Sequence, residues 1–214
     1  MTGWNVAKTG IGMILGLGAF CAMCVPAAGD AAGPIIAQAY ARNGPLTAYS
    51  FHLNVAMAMR HFPWLHFHMR GDGRYDRNGR YQVHFTHMPF FAKSFDTLDL
   101  SLFSPSLWSE HYVVTRVSKC DTSAVFDLQD RAGGKGGKNA LSKAVATVDA
   151  RTGLRELDMH YANGGEIKID LTTSDSSGYL LPTVADAQID MPGMALSAQA
   201  GFTNYTVQTG DGGR

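Results

Sequence analysis

Hydrophobic and polar positions alternate along residues 49–88, and this period of two predicts three antiparallel strands with one buried face and one wet face. The apolar positions are Tyr49, Phe51, Leu53, Val55, Met57 and Met59 in the first strand, Leu65, Phe67 and Met69 in the second, and Tyr81, Val83 and Phe85 in the third. What this apolar face packs against is therefore the main functional question.

The register between the second and third strands follows from the loop that joins them. Residues 76–80 read Asp-Arg-Asn-Gly-Arg. A two-residue Asn-Gly turn would mix the two faces of the hairpin. A three-residue loop, with its glycine in the left-handed position, keeps the faces apart. The predicted loop pairs Tyr75 with Tyr81. It also pairs Gly71 with Phe85.

The segments on either side of these strands predict a cover for the sheet. Residues 34–41 have helical composition, and Pro34 suits the first helical turn. The Asn-Gly-Pro sequence at residues 43–45 ends this helix. Residues 90–108 are rich in aromatic side chains but do not alternate, which favours a loop with helical turns. We expect this mid-chain segment to form a lid over the sheet or part of an ordinary core.

Strand patterns resume in the second half of the chain. The predicted strands cover residues 112–117, 123–128, 144–148, 157–161, 167–171, 183–189 and 194–206, with a loop at 173–178. Residues 163–165 read Asn-Gly-Gly and predict another three-residue loop, with Gly165 as its left-handed glycine. In the register that we expect, Tyr161 faces Ile167. The same register sets Asp158 against Asp170 on the wet face.

Composition is consistent with one domain, which we place at residues 30–208, and with a disordered tail at 209–214. The chain has 214 residues and is 45% hydrophobic. Lys and Arg number 18, as do Asp and Glu, so the formal net charge is zero. Because no basic block is present, we expect no nucleic acid partner.

The N-terminus, residues 1–29, has the pattern of a cleaved signal peptide. Lys8 precedes an apolar run at residues 11–25, and small residues follow Pro26. The run is shorter than the about 20 residues that a membrane span needs. An uncleaved anchor is the alternative. We expect export to the periplasm.

The three cysteines divide between this segment and the rest of the chain. Cys21 and Cys24 lie in the expected signal peptide. Cys120 would then have no intramolecular disulfide partner. We interpret it as a small hydrophobic side chain on a strand.

Histidines on the outer face are the main alternative chemistry. His52, His66, His68 and His84 share that face, and imidazoles two residues apart can bind zinc or copper. However, a hairpin that pairs Met59 with Leu65 sets His66 and His68 against Ala58 and Ala56, which are not ligands. We therefore interpret these histidines as surface residues and predict no metal site.

The sequence contains no motif that predicts catalysis. Neither Gly-x-Ser-x-Gly nor His-Glu-x-x-His is present. Asp96 and Asp99 would share one side of a helical turn, as general acid–base work requires, but they lie among polar residues that favour solvation. We predict that the protein is not an enzyme and has no catalytic residues.

The order of these features resembles the periplasmic outer-membrane lipoprotein carrier (LolA-like) family over nearly the whole mature chain. A helix leads into LTAYSFHLNV, and GDGRY continues to Arg77 and Tyr81. VDARTGLRELDMHYANGG then precedes a strand, and LLP and FTNYTV complete the order. Residues 90–108 and the Gly-Lys loop at 131–138 depart from the compact family pattern.

The resemblance implies a mainly β (α+β) fold with a curved antiparallel sheet. The sheet would form an unclosed β-barrel covered by the N-terminal helix and the mid-chain segment. An apolar cavity on its concave face would carry acyl chains. The family's sheet carries an arginine after a glycine-rich strand, and Arg77 is the nearest match. The lipid-binding residues that we predict are Phe51, Leu53, Val55, Met57, Leu65, Phe67, Met69, Val83, Phe85 and Phe95.

These observations lead to one main functional hypothesis and two alternatives. The main hypothesis is an exported, monomeric carrier of lipid or acylated protein cargo. It would serve outer-membrane biogenesis between membrane-associated donor and acceptor proteins, and it would need no cofactor. The first alternative is a non-catalytic envelope protein with a filled core and a metal on its outer histidines. The second is a secreted hydrolase. The apolar pattern is compatible with either a cavity or a filled core.

Overall fold

The computed structural model describes residues 25–26, 33–62, 64–77, 81–86, 100–131 and 140–210. The strands are β1 Val25–Pro26, β2 Leu46–Met59, β3 His66–Asp76, β4 Tyr81–Phe85, β5 Tyr112–Lys119, β6 Ser123–Asp130, β7 Leu141–Asp149, β8 Gly153–Tyr161, β9 Glu166–Ser176, β10 Tyr179–Met191 and β11 Met194–Thr209. The helices are α1 Gly33–Tyr40 and α2 Trp108–His111, with 3-10 turns at Ala41–Asn43, Leu100–Phe103 and Pro105–Leu107. Phe95, Asp96 and Asp99 lie outside the described residues.

The described strands form one antiparallel sheet in the order β1-β5-β6-β7-β8-β9-β10-β11-β2-β3-β4. Strands β5 to β11 form a meander, because each pairs with the next along the chain. Strands β2 to β4 form a second, shorter meander. The first long strand, β2, pairs with the last, β11, and joins the two meanders. The sheet is unclosed, with β1 and β4 at its edges, so the mainly β fold class is confirmed.

The register predicted for the first hairpins is confirmed. Tyr75 faces Tyr81, and Gly71 faces Phe85. From Tyr49 to Met57 the odd positions of β2 are buried and Ser50, His52, Asn54 and Ala56 are exposed. The backbone N–H of Met59 donates to the carbonyl oxygen of Leu65 at 3.2 Å. The alternation in this part of the chain therefore specifies both faces of the sheet.

The predicted register of the β8–β9 hairpin is wrong by two residues. Met159, not Tyr161, faces Ile167. The loop is one residue earlier than predicted, since the backbone N–H of Tyr161 donates to the carbonyl oxygen of Gly165 at 2.9 Å and Gly164 holds the positive φ of 82°. This register places Lys168 opposite Asp158, and Asp170 faces Glu156 instead of Asp158.

The predicted loop at residues 173–178 is also wrong. The β9–β10 ladder extends to the pair formed by Ser176 and Tyr179. Only Ser177 and Gly178 remain for the turn, and both have a positive φ, of 54° and 85°. Two central residues with positive φ are typical of the tight turn whose twist matches that of the flanking strands. Strand β11 likewise extends beyond the predicted end, through Thr209.

Helix α1 and the mid-chain turns cover the inner face of the sheet. Ile35 and Ala39 of α1 pack in the same buried cluster as Phe126 of β6. Leu102 and Trp108 of the mid-chain segment belong to this cluster and are 0% and 2% exposed. Trp108 Nε1 donates to the carbonyl oxygen of Leu102 at 3.0 Å, which satisfies the buried indole. Much of the described mid-chain segment is therefore core.

Cys120 is disulfide-bonded, so the expectation that it has no intramolecular partner is wrong. The other two cysteines of the sequence precede β1. Strand β1 pairs with the end of β5, and Val25 lies opposite Lys119, the residue before Cys120. Residues 1–29 have the pattern of a removable signal peptide, which gives no sign that Val25 and Pro26 pair with β5.

Within the described ranges, none of the helices has the length and hydropathy of a membrane span.

Candidate functional site

The concave face of the sheet carries a partly open cavity of about 270 Å³, which we call the apolar cavity. Its walls come from β2–β4, β9–β11 and the 3-10 turn Leu100–Phe103. The lining residues are Phe51, Leu53, Val55, Met57, Met69, Tyr81, Val83, Phe85, Phe103, Ile167, Ile169, Leu171, Pro182, Ala185, Ala187, Ile189, Ala198, Ala200 and Phe202. Among these described residues, Tyr81 alone carries a polar side-chain group.

Four alanines produce the recess in the floor of the apolar cavity. Ala185 faces Ala200 across the β10–β11 ladder, and Ala187 faces Ala198. All four line the cavity, between the larger side chains of β2 and β9. Because a methyl group fills far less volume than a leucine or phenylalanine side chain, these two pairs leave space that a filled core would not have.

A second cavity of about 330 Å³, which we call the tyrosine cavity, adjoins the first near the start of β2 and the end of β3. Tyr81, Phe103, Leu171 and Pro182 line both cavities. The remaining lining residues combine apolar and polar side chains: Tyr40, Asn43, Gly44, Leu46, Tyr49, Tyr75, Arg77, Ser104, Pro105, Ser106, Leu107, Leu154, Thr173 and Leu180. One end of the concave face is therefore apolar, and the adjoining end offers hydrogen-bonding groups.

Tyrosines form a cluster where the two cavities meet. The hydroxyl groups of Tyr49 and Tyr81 hydrogen-bond to each other. The ring of Tyr75 stacks on that of Tyr49, with centroids 4.8 Å apart. The ring of Tyr81 meets Phe103 of the mid-chain segment with centroids 6.4 Å apart. The hydroxyl of Tyr205 donates to the carbonyl oxygen of Pro182. These contacts fix the ring positions on the wall shared by the cavities.

Burial keeps these hydroxyl groups neutral over a wide pH range. It raises the pKa of Tyr40 to about 12, although the backbone N–H of Leu154, which donates to the hydroxyl, opposes the shift. Burial also raises the pKa of Tyr49, Tyr81 and Tyr205 above the usual value for tyrosine. Desolvation disfavours the charged phenolate, which accounts for the common direction. At neutral pH the cluster presents uncharged hydroxyls.

Two further polar groups line the tyrosine cavity. Ser104 is 5% exposed, and among the described residues its buried Oγ makes no hydrogen bond of accepted geometry. Arg77 lies in the turn after β3 and is exposed. Its Nη2 donates to the carbonyl oxygen of Gly44 at 3.4 Å. The buried Ser104 hydroxyl and a cation at the rim are groups that can meet the polar end of a ligand.

Seven of the ten predicted lipid-binding residues line the apolar cavity: Phe51, Leu53, Val55, Met57, Met69, Val83 and Phe85. Phe67 packs against the buried cluster of β2 without lining the cavity. Leu65 lies in the β2–β3 turn and is 39% exposed. Phe95 lies outside the described residues. The structure thus brings most of the predicted set together.

The wall that β9–β11 contribute is not predicted by the sequence pattern. Ile167, Ile169 and Leu171 alternate clearly, but nothing in the sequence sets them opposite β2. Ala185 and Ala187 alternate too, but alanine gives a weak apolar signal. The pairing of β11 with β2 places this wall beside the predicted wall of β2–β4. Recognising it from sequence would have required the strand order.

The histidines of the outer face do not converge. His52 Nδ1 lies 2.6 Å from Asp72 Oδ1, and Asp72 faces His84 on the next strand. His66 and His68 face Ala58 and Ala56, as predicted. Within the described ranges, no three His, Cys, Asp or Glu side chains are placed to hold a metal ion.

Comparison with known proteins reveals similarity at the level of fold. No protein-family model matches the chain, and no curated protein matches it. A LolA superfamily protein from Nitrosomonas europaea matches over 83% of this chain and 93% of its own, with a TM-score of 0.57 and 11% identity. A DUF1329 family protein from Desulfovibrio piger matches over 85% and 92%, with a TM-score of 0.50 and 10% identity.

A third solved structure is a putative outer membrane lipoprotein-sorting protein domain from Vibrio parahaemolyticus. It covers 83% of this chain and 92% of its own, with a TM-score of 0.48 and 11% identity. At these identities the first two structures establish the fold and nothing finer. The resemblance inferred from the order of sequence features is confirmed at that level, since the chain has a LolA-like fold.

Proposed function

We propose that this chain, which has a LolA-like fold, is a periplasmic carrier that binds the acyl part of a lipid or acylated protein in the apolar cavity. The observation that carries the proposal is the cavity of about 270 Å³ on the concave face, with walls that are apolar except for Tyr81. Concave, mostly apolar spaces with a few placed polar groups are typical of small-molecule sites.

Apolar burial supplies the binding energy in this proposal. Each methylene group removed from water contributes about 0.8 kcal/mol. A chain that buries about ten methylenes gains ~8 kcal/mol, which corresponds to a Kd of about 1 µM before the cost of ordering the ligand. Met57 and Met69 line the cavity, and unbranched thioether side chains adapt to flexible ligands. Binding of this strength is reversible.

The polar end of the ligand lies in the tyrosine cavity in this proposal. The two cavities share four lining residues, among them Tyr81 and Phe103. A ligand whose acyl chain fills the apolar cavity therefore meets the tyrosine hydroxyls, the Ser104 hydroxyl and Arg77 at its other end. Hydroxyl donors and a guanidinium favour a head group that accepts hydrogen bonds or carries negative charge.

Transport follows from binding alone. Cargo passes from a membrane-associated donor to a membrane-associated acceptor by mass action, and no covalent step or cofactor is needed. Phe103 belongs to the mid-chain segment and lines both cavities. Movement of the Phe103 ring away from the sheet opens both cavities together in this proposal.

A cavity-filling variant tests the proposal. Ala200→Phe places a ring in the recess of the apolar cavity, whereas Ala56→Phe makes the same change at an exposed position of β2. Protein purified from its own host is examined by native mass spectrometry and organic extraction. A fluorescent fatty acid then measures affinity.

We expect lipid to co-purify with the wild type and with Ala56→Phe, and Ala200→Phe to lose binding at least about tenfold, a difference of about 1.4 kcal/mol. Circular dichroism checks that each variant is folded. The proposal fails if the wild type neither co-purifies with lipid nor binds the probe. It also fails if folded Ala200→Phe binds as the wild type does.

A further inference from the structure

The turn between β2 and β3 carries three large hydrophobic side chains in an exposed position. Phe62 is 49% exposed, Trp64 is 72% exposed and Leu65 is 39% exposed. We call these three residues the aromatic tip. The rings of Phe62 and Trp64 meet edge to face, with centroids 5.6 Å apart. Among the described residues, the only other large hydrophobic side chains with comparable exposure are Val113 and Val114 of β5.

The backbone of the aromatic tip is held in place. The backbone N–H of Phe62 donates to the carbonyl oxygen of Met59 at 3.2 Å, and that of Leu65 donates to Phe62 at 2.8 Å. Arg60 braces the turn against β10 and β11, because its N–H donates to Ala195 at 2.9 Å. Its guanidinium also forms two hydrogen bonds with Asp190, at 3.0 and 2.7 Å. The exposed rings therefore stand on an ordered hairpin.

The hairpin that carries the aromatic tip has no carboxylate of its own, whereas Asp170 and Asp186 of β9 and β10 line a surface recess with His66 and His68. Residues 50–71 contain neither Asp nor Glu. His61, His66, His68 and Arg70 are exposed on or beside the tip. The carboxylate of Asp190 is paired with Arg60. A negatively charged surface can therefore approach the tip without meeting an unpaired carboxylate of this hairpin.

We propose that the aromatic tip docks the protein on a lipid bilayer surface that carries anionic head groups. Tryptophan and phenylalanine favour the membrane–water interface, where an apolar ring and a polar edge are both accommodated. Arg70, exposed on β3 of the same hairpin, adds attraction to anionic lipids. Three side chains on one hairpin are too few for a stable protein interface, which buries about 800 Å² on each partner.

Docking through the aromatic tip orients the carrier. On β3 the side chains that face the inside of the sheet include Met69, and the next positions of that alternation lead back to Leu65. On β2 the inward-facing side chains include Met57, and the alternation leads on to Met59. Met57 and Met69 line the apolar cavity. The tip therefore lies at the end of the sheet to which these two alternations lead, and docking turns that end toward the bilayer. Only this orientation depends on the proposed carrier function, whereas docking itself does not.

Vesicle binding by the full chain tests the inference, with phosphatidylcholine vesicles and vesicles that also contain phosphatidylglycerol. We expect the wild type to co-sediment with the anionic vesicles and its tryptophan emission to shift to the blue. Trp108 is buried and Trp64 exposed, so in a Trp4→Phe background, which leaves these two tryptophans, the shift should be lost on Trp64→Ser. That variant should also bind at least about tenfold more weakly. Val113→Ser, which removes an exposed hydrophobic side chain from β5, should bind as the wild type does.

The outcomes separate docking from cargo binding. Ala200→Phe, which alters the apolar cavity, should dock normally even where it fails to take up a fatty acid. Absence of wild-type binding to both vesicle types would overturn the inference. Equal binding by folded Trp64→Ser would also overturn it. A Trp64-dependent association with a protein, without vesicle binding, would overturn it in favour of a protein partner.

Discussion

The ring of Phe51 lies directly over Gly73, its partner across the β2–β3 ladder. A Cβ atom built on residue 73 would come within 2.1 Å of the ring. Phe51 also lines the apolar cavity. The absence of a side chain at position 73 therefore sets the position of a ring in the cavity wall.

Substitution of Gly73 by alanine should displace the Phe51 ring. We expect Gly73→Ala to lower the free energy of unfolding by about 1–3 kcal/mol, the usual cost of overpacking, and to weaken fatty acid binding. Urea unfolding and a fluorescent fatty acid measure the two effects. Gly201→Ala is the matched control in β11, since a Cβ there meets no atom within 4 Å. Equal effects of the two substitutions would contradict this account.

The hydrogen bond between Tyr49 and Tyr81 should be detectable as coupling between the two residues. Tyr81→Phe leaves the buried Tyr49 hydroxyl without this partner and should cost about 1–3 kcal/mol. Tyr49→Phe should have a similar cost for the same reason. The double variant should lose less than the sum of the two, because no hydroxyl then stays unpaired. Urea unfolding of the four proteins measures the coupling, and strict additivity would contradict it.

The buried tyrosines should make the protein unstable in alkali. Unfolded tyrosine ionises near about pH 10, whereas the pKa of folded Tyr40 is raised to about 12. Between these values the folded protein binds more protons than the unfolded chain. Each such tyrosine therefore contributes its full stabilisation of the folded state below about pH 10. Above that pH the free energy of unfolding falls by about 1.4 kcal/mol per pH unit for each of them.

Urea unfolding between about pH 8 and pH 11 measures this slope. Tyr40→Phe removes one contributing group, so its free energy of unfolding should fall less steeply above about pH 10 than that of the wild type. An unchanged slope would show that Tyr40 does not contribute to the loss.

Arg77 should discriminate between ligands by their head groups. Arg77→Gln should weaken binding of a long-chain carboxylate by about two- to fivefold, the modest effect expected of an exposed cation. Binding of the corresponding alcohol should not change. Arg74→Gln is the control, since Arg74 is exposed on the face of β3 that points away from the cavities. Competition against a fluorescent fatty acid measures both ligands. Equal losses for carboxylate and alcohol would contradict a role in head-group recognition.

The sequence predicted the first meander well because several constraints agree there. The alternation from Tyr49 to Met57 specifies the buried face. The pairing of Gly71 with Phe85 then follows from a loop length that keeps the faces apart. Both glycines of β3, Gly71 and Gly73, lack space for a Cβ atom, so each has a local structural reason.

Other features could not be read from local patterns. The β8–β9 hairpin contains two adjacent glycines, so its three-residue loop could begin at either of two neighbouring residues. The pairing of Asp158 with Lys168 favours the earlier loop, which differs from the predicted one. The alanine pairs of β10 and β11 have little apolar signal, although they produce the recess of the cavity. The disulfide of Cys120 does not follow from the sequence, because the segment before β1 has the pattern of a removable signal peptide.

The pairing of β2 with β11 has a consequence for how the protein is made. Val55 and Ala200 stand side by side in this ladder although they lie far apart in the chain. Contacts between such distant positions form late and slow folding. The early strands therefore emerge with their apolar face uncovered, and the binding site is completed only when the last strand arrives. The newly made chain must be kept from aggregation for as long as that takes.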